Sequence, residues 1–328
     1  MPTARRFRLP LILAVVTLLA YLALGTQQFT NAMTLGAVYA LVALGYTMVY
    51  GIIELINFAH GDVFMVGAFV SLALLQNVFH ATGPITDPIP LILTLAALFI
   101  ASMLLMGIVG VVIERFAYRP LRHAPRLAPL ITAIGVSFIL QNIISAIPGF
   151  GTSPRPVPQI FPVIRFDILG GQVGLINIFM VVVALVLMIA LQLFVSQTRL
   201  GRAMRSTAQD REAAQLMGVD INQTIAITFF LAAALAGAGG VIQGQYFGNI
   251  QFNLGFNAGL KAFTAAVLGG IGNTTGAALG GFVIAFIEVF ATNLGFSLWS
   301  EVAVFTVLIL VLVFRPAGLL GQQLGERA

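Results

Sequence analysis

Ten apolar runs with hardly a charge among them constrain this chain more than any other feature. They lie at 10–25, 32–53, 60–79, 89–113, 128–147, 174–195, 224–247, 259–272, 275–294 and 299–315. Most approach the roughly 20 residues that a helix needs to cross a bilayer. Only 8% of the 328 residues are charged, against about 25% in soluble domains. So few charges cannot cover a water-facing surface, so the solvent this chain is built for is lipid. A helix satisfies its own backbone hydrogen bonds, which favours helices over lipid-exposed sheet or loop. The alternating pattern of a membrane barrel is absent. The expected fold is therefore all-α, a single polytopic transmembrane bundle over residues 1–328 with about 8–10 membrane segments. The short run 259–272 is the irregular one, ending in Gly269-Gly270-Ile271-Gly272. It either crosses as a broken helix or dips in and returns with 275–294.

Arginines set the orientation. Arg5, Arg6 and Arg8 precede the first run; Arg115, Arg119, Arg122 and Arg126 follow the fourth; Arg199, Arg202, Arg205 and Arg211 follow the sixth; Arg315 follows the last. With the N-terminus inside, counting crossings puts all four groups on the cytoplasmic side, and the C-terminus with them. Residues 148–173 then fall on the periplasmic side. Pro148, Pro154, Pro156, Pro158 and Pro162 make this stretch an irregular loop. The three N-terminal arginines, an apolar core and Ala23-Leu24-Gly25 also fit a cleavable signal peptide. The core is slightly long for one, which favours a retained first helix.

Several chemistries are excluded or unsupported. No cysteine is present, so disulfides and thiolate metal sites are absent. The basic residues sit in short loops, not clustered on a soluble face, so no nucleic-acid partner is expected. No cofactor and no metal site is expected; His60 with Glu54 or Asp62 lacks a third ligand. There is no Ser-His-Asp set and no pair of catalytic carboxylates.

The loop 198–219 is the most informative break. Asp210 suits an N-cap and Gly218 a left-handed C-terminal glycine. Between them lie about two turns of strong helix formers. Ala213, Ala214, Leu216 and Met217 offer an apolar surface, and Glu212 adds charge near the start. A solvated connector would have the same composition. The spacing Glu212-Ala213-Ala214, three residues, Gly218 resembles the loop by which permease subunits of ABC importers dock on their ATPases. The downstream Leu-Pro of the general motif is missing.

A second polar break carries Glu54, Asn57, His60 and Asp62 within nine residues. Charges at the bilayer centre cost about 2.5–3.5 kcal/mol each on insertion scales. The segment is therefore a short cytoplasmic turn or a broken helix beside the translocation path; Asn57, His60, Gly61 and Asp62 are its candidate path residues. Glu288 stands alone in the ninth run, where it snorkels, pairs with a neighbour or faces a water-filled path. Lys261, the only lysine, reads as a boundary anchor. Gly240, Gly244 and Gly248, then Gly272, Gly276 and Gly280, recur four apart, a spacing that lets helices approach closely. The stretch from Gly269 to Gly276 could also hinge.

Longer stretches point to one family. Leu35 to Leu41, Gly45 to Gly51, Ile56-Asn57-Phe58-Ala59-His60-Gly61, Tyr118 to Arg122, Ala124 to Ile131 and Lys261 to Gly272 resemble the permeases of branched-chain amino acid ABC importers. The likeness runs from about residue 29 to 321 and is greatest to the H-type subunit. It implies an inner-membrane assembly of two homologous permeases, two cytoplasmic ATP-binding subunits and a periplasmic amino-acid-binding protein. Permeases for urea and short amides share the Asn-x-Ala-His-Gly pattern. An ion-coupled secondary transporter would need a buried coupling acid, for which Glu288 is the candidate. A membrane-embedded enzyme would have to use His60 with Asp62.

A P-loop requires a lysine after a glycine-rich turn. Lys261 sits in Gly259-Leu260-Lys261-Ala262 instead. The purified chain alone should therefore hydrolyse no ATP above the rate of a protein-free blank in a phosphate-release assay.

Overall fold

A computed structural model describes residues 3–122, 124–125, 127–168, 171–315 and 317–321, with side chains described from Ala20 on, Ala23 apart. The side chains of Arg5, Arg6 and Arg8, and all of Arg126, lie outside the described residues. The described residues are mostly helical. In order come α1 (Thr3–Ile53), α2 (His60–Asn77), α3 (Pro88–Ile113), a π-turn (Glu114–Tyr118), a 3-10 turn (Arg119–Leu121) and α4 (Leu127–Ala146). Strands β1 (Arg155–Pro156), β2 (Arg165–Ile168) and β3 (Gly171–Gly174) follow. Then come α5 (Leu175–Gln197), α6 (Arg199–Gln209), α7 (Arg211–Leu216), α8 (Ile221–Phe247), β4 (Asn249–Ile250), α9 (Leu254–Gly269), α10 (Thr274–Asn293) and α11 (Ser300–Phe314).

Seven helical segments among the described residues are long and apolar enough to cross a membrane: Leu24–Ile53, Pro88–Leu121, Leu127–Ala146, Leu175–Gln197, Ile221–Phe247, Thr274–Asn293 and Ser297–Phe314. The protein is a multi-pass membrane bundle. α1 and α8 form its centre, with 89% and 78% of their most apolar stretches buried. α4, α5 and α11 stand at the periphery, where 22%, 22% and 11% are buried. Their outward residues are Ile, Leu, Val and Phe, as a lipid-facing surface requires.

α2 and α9 fall outside the seven, and both begin inside the bundle. α1 descends to Ile53, and the chain turns back without helix through residues 54–59. α2 then starts at His60, whose ring lies against Gly45. Gly45 precedes Ile53 by eight residues, so this start is about 12 Å up α1 at 1.5 Å per residue. α9 starts beside it: a Cβ on Gly255 would meet Asp62 Oδ1 at 2.6 Å, and one on Gly259 would meet Gly61 Cα at 2.9 Å. With 16 residues, α9 spans only about 24 Å. It ends at Gly270 and Gly272, the latter within 3.4 Å of the Cβ position of Gly51 near the end of α1. The run 259–272 is thus a broken crossing, completed by the non-helical segment 248–253. The chain after α11 returns to the same end, where the Leu319 and Leu320 N–H groups donate to the carbonyls of Leu268 and Gly269.

The proline-rich stretch 148–173 is irregular but carries short strands that the sequence does not reveal. β1 pairs antiparallel with β4, and β2 with β3. The first pairing ties this stretch to the end of α8, and the Val157 N–H donates to Gly248 O.

Helices have no hydrophobic reason to associate in lipid, so packing and hydrogen bonds hold them together. At the crossing of α2, α3 and α8, Gly67 meets Gly237, and Ser102 Oγ lies 3.1 Å from the carbonyl oxygens of both. α10 packs on α9 and α1 in the same way: a Cβ on Gly280 would sit 2.0 Å from Ala265 O, and one on Gly281 2.5 Å from Ala40 N. Gly280→Ala should therefore destabilise by about 1–3 kcal/mol or more through overpacking. Gly135→Ala on α4, where nothing lies within 4 Å, should be neutral or stabilising by roughly the helix-propensity difference of 1 kcal/mol. Thermal unfolding of the two variants in detergent checks both.

Candidate functional site

The loop 198–219 folds into two helices where the sequence suggests one. Thr198 caps α6 by accepting from the Gly201 N–H at 3.0 Å. Asp210 caps α7, its Oδ1 accepting from the Ala213 N–H at 3.0 Å. Gly218 closes the unit in the left-handed region at φ 85°. The apolar surface differs from the expected one. Ala214 is turned into the bundle and is buried, so it cannot face another protein. Leu216 and Met217 project instead, 88% and 85% exposed, with Glu212 and Ala213 exposed beside them. A six-residue helix has little inward surface, and Ala214 supplies all of it.

α7 is wired to the bundle. Arg211 Nη2 donates to Ile52 O at 2.8 Å, at the last turn of α1. Directly after that turn the chain enters the non-helical segment 54–59, with Glu54 at φ 55°, a conformation costly for a residue with a Cβ. Tyr118 Oη, from the π-turn, lies 3.1 Å from Asn57 Oδ1 and 3.4 Å from Ile56 O. The same turn buries Glu114 completely. Arg119 grips its carboxylate with Nε on Oε1 at 3.2 Å and Nη2 on Oε2 at 2.7 Å, and Arg122 Nη2 donates to the same Oε1. Arg122 also donates to Asn222 Oδ1 at the start of α8. A buried carboxylate requires such partners, because desolvating it alone costs several kcal/mol.

The candidate path residues of the second polar break come together but are enclosed. Asn57, His60 and Asp62 are each at most 4% exposed. His60 packs edge-on against Tyr46 at 4.8 Å between ring centroids, and its Nε2 has no hydrogen-bond partner among the described residues. Asp62 accepts from Gln141 Nε2 at 3.0 Å and from Ser137 Oγ, both on α4. Gly61 is the contact point for α9, described above.

Glu288 is not part of that cluster. Its Oε2 accepts from Tyr39 Oη at 2.8 Å and its Oε1 from Lys261 Nζ at 2.7 Å. Lys261 also lies 3.5 Å from Glu301 Oε1. The lone lysine and the lone mid-helix acid thus satisfy each other across α9 and α10, with α1 and α11 attached. Neither this pair nor the Glu114 clamp is legible from spacing alone. Glu114 and Arg119 stand five apart, which matches no α-helical face and works only because the turn between them is a π-turn.

Comparison with known proteins places these features in a wider set. The family model for the branched-chain amino acid transport system permease component matches residues 28–313. The high-affinity branched-chain amino acid transport system permease protein BraD of Pseudomonas aeruginosa is 44% identical over 303 residues, covering 90% of this chain and 95% of its own. The corresponding protein LivH of Escherichia coli K12 is 41% identical with the same coverage. The probable branched-chain amino acid transport permease protein LivH of Methanocaldococcus jannaschii is 29% identical over 86% of this chain and 88% of its own. No solved structure matches the chain.

Removing Lys261 should leave the half-buried Glu288 with only a phenol as partner. Lys261→Met is expected to destabilise by about 1–3 kcal/mol, the cost of losing a hydrogen-bonded charge partner at a partly desolvated site. The exchange K261E/E288K should recover part of the loss, the remainder reflecting repulsion between the new acid and Glu301. Thermal unfolding of both variants tests this; equal loss in the exchange variant would exclude a specific pair.

Proposed function

This chain belongs to the branched-chain amino acid transport permease family, and on that premise we propose that it is an H-type permease subunit of an ABC importer. Its cargo is leucine, isoleucine or valine, carried across the inner membrane. Its partners are a second homologous permease, two cytoplasmic ATP-binding subunits that perform the hydrolysis, and a periplasmic amino-acid-binding protein. The names of BraD and LivH favour branched aliphatic amino acids over urea or short amides.

The observation that carries the reading is the exposed apolar tip of α7. Leu216 and Met217 lie side by side with Ala213 exposed next to them, an apolar patch of the kind that marks a contact with another protein. The helix that bears them is capped at both ends, so it moves as a unit. In this reading loop 198–219 is cytoplasmic, with Asp210 and Gly218 fixing its shape and Glu212, Ala213 and Leu216 meeting the ATPase. Ala214 contributes by seating the helix on its own bundle. ATP-driven closure of the ATPase pair displaces α7, Arg211 transmits the displacement to the end of α1, and segment 54–59 passes it to the meeting point of α2 and α9. Nucleotide does this by binding one state of the assembly more tightly than the other. Asn57, His60, Gly61 and Asp62 then act as the part of the path that changes shape. Glu288, with both oxygens engaged, braces α9 and is not available as a coupling acid for an ion-driven carrier.

Leu216→Asp with Met217→Asp, Glu212→Lys, and Gly218→Val should each reduce ATP-dependent leucine uptake at least tenfold while leaving membrane insertion unchanged. The first should also lose the ATPase subunit on co-purification. Gly218→Val acts differently, by straining the left-handed cap. Normal uptake in all three would exclude this loop as the coupling element.

A further inference from the structure

A cavity of about 450 Å³ lies between α7 and the end of α1 and opens beside the coupling loop. Its size falls within the roughly 300–1,000 Å³ of small-molecule sites. Its walls carry three kinds of group. Glu54, Asp210 and Glu212 supply carboxylates; Asp210 caps α7, whereas the exposed Glu54 and Glu212 side chains make no hydrogen bond or ion pair among the described residues. Arg122 and Arg211 supply guanidinium groups. Arg211 spends only Nη2, on Ile52 O, which leaves its other donors for a ligand. Ile52, Leu55, Leu121 and Ile225 supply an aliphatic wall.

Arg122 is held by Glu114 and Asn222, so one cation with unspent donors, Arg211, and two unpaired carboxylates stand beside an aliphatic wall, a set that matches a zwitterion with an aliphatic side chain. An ammonium would meet Glu54 or Glu212, a carboxylate would meet Arg211, and the side chain would cover the isoleucines and leucines. A simple anion would meet Arg211 but gain nothing from the two acids, and an apolar ligand would use neither kind of charge. The position is as informative as the chemistry. The cavity separates α7 from Glu54, the first residue of the segment that leads to the α2–α9 contact. A molecule lodged there fixes the gap across which coupling must pass.

We propose that this cavity is a second amino-acid site, which takes an aliphatic amino acid from the coupling-loop side and slows the transporter when filled. The inference rests on the transport reading above and adds to it a feedback by accumulated product. Occupancy favours the state in which the gap is open at its present width, and linkage requires that it oppose the step that narrows or widens it.

The test uses the complete transporter in proteoliposomes, with ATP in the lumen, binding protein and labelled leucine outside, and the coupling side facing the lumen. Unlabelled luminal leucine should lower both ATP hydrolysis and the initial uptake rate. Luminal glycine, which lacks the side chain, and isocaproate, which lacks the ammonium, should not. Glu54→Gln should raise the half-inhibitory luminal leucine concentration by about tenfold, as expected for one lost charge-assisted contact, with each protein's rates taken relative to its own leucine-free rate. Uptake that proceeds but ignores luminal leucine, or equal inhibition of wild type and E54Q, overturns the feedback site while leaving the transport reading intact. Equilibrium binding of labelled leucine to the detergent-solubilised complex without binding protein gives a reading independent of transport. A bound leucine weakened in E54Q is expected; no binding overturns the inference even if the vesicles fail to transport.

Discussion

The structure depends on one contact, the meeting of Gly61 at the start of α2 with Gly255 and Gly259 at the start of α9. Two helices begin there, inside the bundle, and neither start can be reached by helix from outside. The chain enters each through non-helical backbone, 54–59 on one side and 248–253 on the other. Irregular backbone at such depth is tolerated only where protein encloses it. α1 and α8, the two most buried helices, provide that enclosure. With no side chain on either glycine, the backbones come close enough for packing to replace the hydrophobic drive that lipid denies.

Around this point the polar groups fall into two locks. On the basic side, Glu114 with Arg119 and Arg122, Tyr118 with Asn57, and Arg211 with Ile52 connect α3, α8, α7 and the end of α1. Within the helices, Lys261 with Glu288 and Tyr39 connects α9, α10 and α1. The first lock touches the element that would meet an ATPase; the second steadies the broken helix. A displacement entering at α7 therefore has a continuous set of packed and hydrogen-bonded groups leading to the α2 start. α9 has its own restraint from the opposite side.

Local chemistry was legible in the sequence and remote pairing was not. Asp210 as N-cap and Gly218 as left-handed terminator follow from rules spanning a few residues, and both hold in the structure. The inward turn of Ala214 does not follow, because it depends on which side of α7 the bundle lies. Thr198 could have signalled α6, since a threonine three residues before a backbone donor is a cap, but the arginine content of that stretch reads as loop. Lys261 and Glu288 are 27 positions apart, and only the packing of α9 on α10 brings them within reach. The short strands of the proline-rich stretch escaped because each is two to four residues long.

The sequence by itself determined the class of fold and the broad topology. Charge scarcity forces lipid exposure, the length of the apolar runs forces crossings, and arginine placement distinguishes one face from the other. Each of these is a property of composition along the chain and requires no knowledge of neighbours. Only the tertiary structure decided that α9 is a broken crossing, that Asn57, His60 and Asp62 are enclosed, and that Glu288 is paired with Lys261. It alone shaped the cavity beneath α7, whose walls come from α1, the π-turn region, α4, α6, α7 and α8. A run of apolar residues states that a helix will be in lipid, but the groups that decide function are few, polar and far apart in sequence. Their partners are fixed by how closely glycine-bearing helices approach, which is a matter of three-dimensional packing.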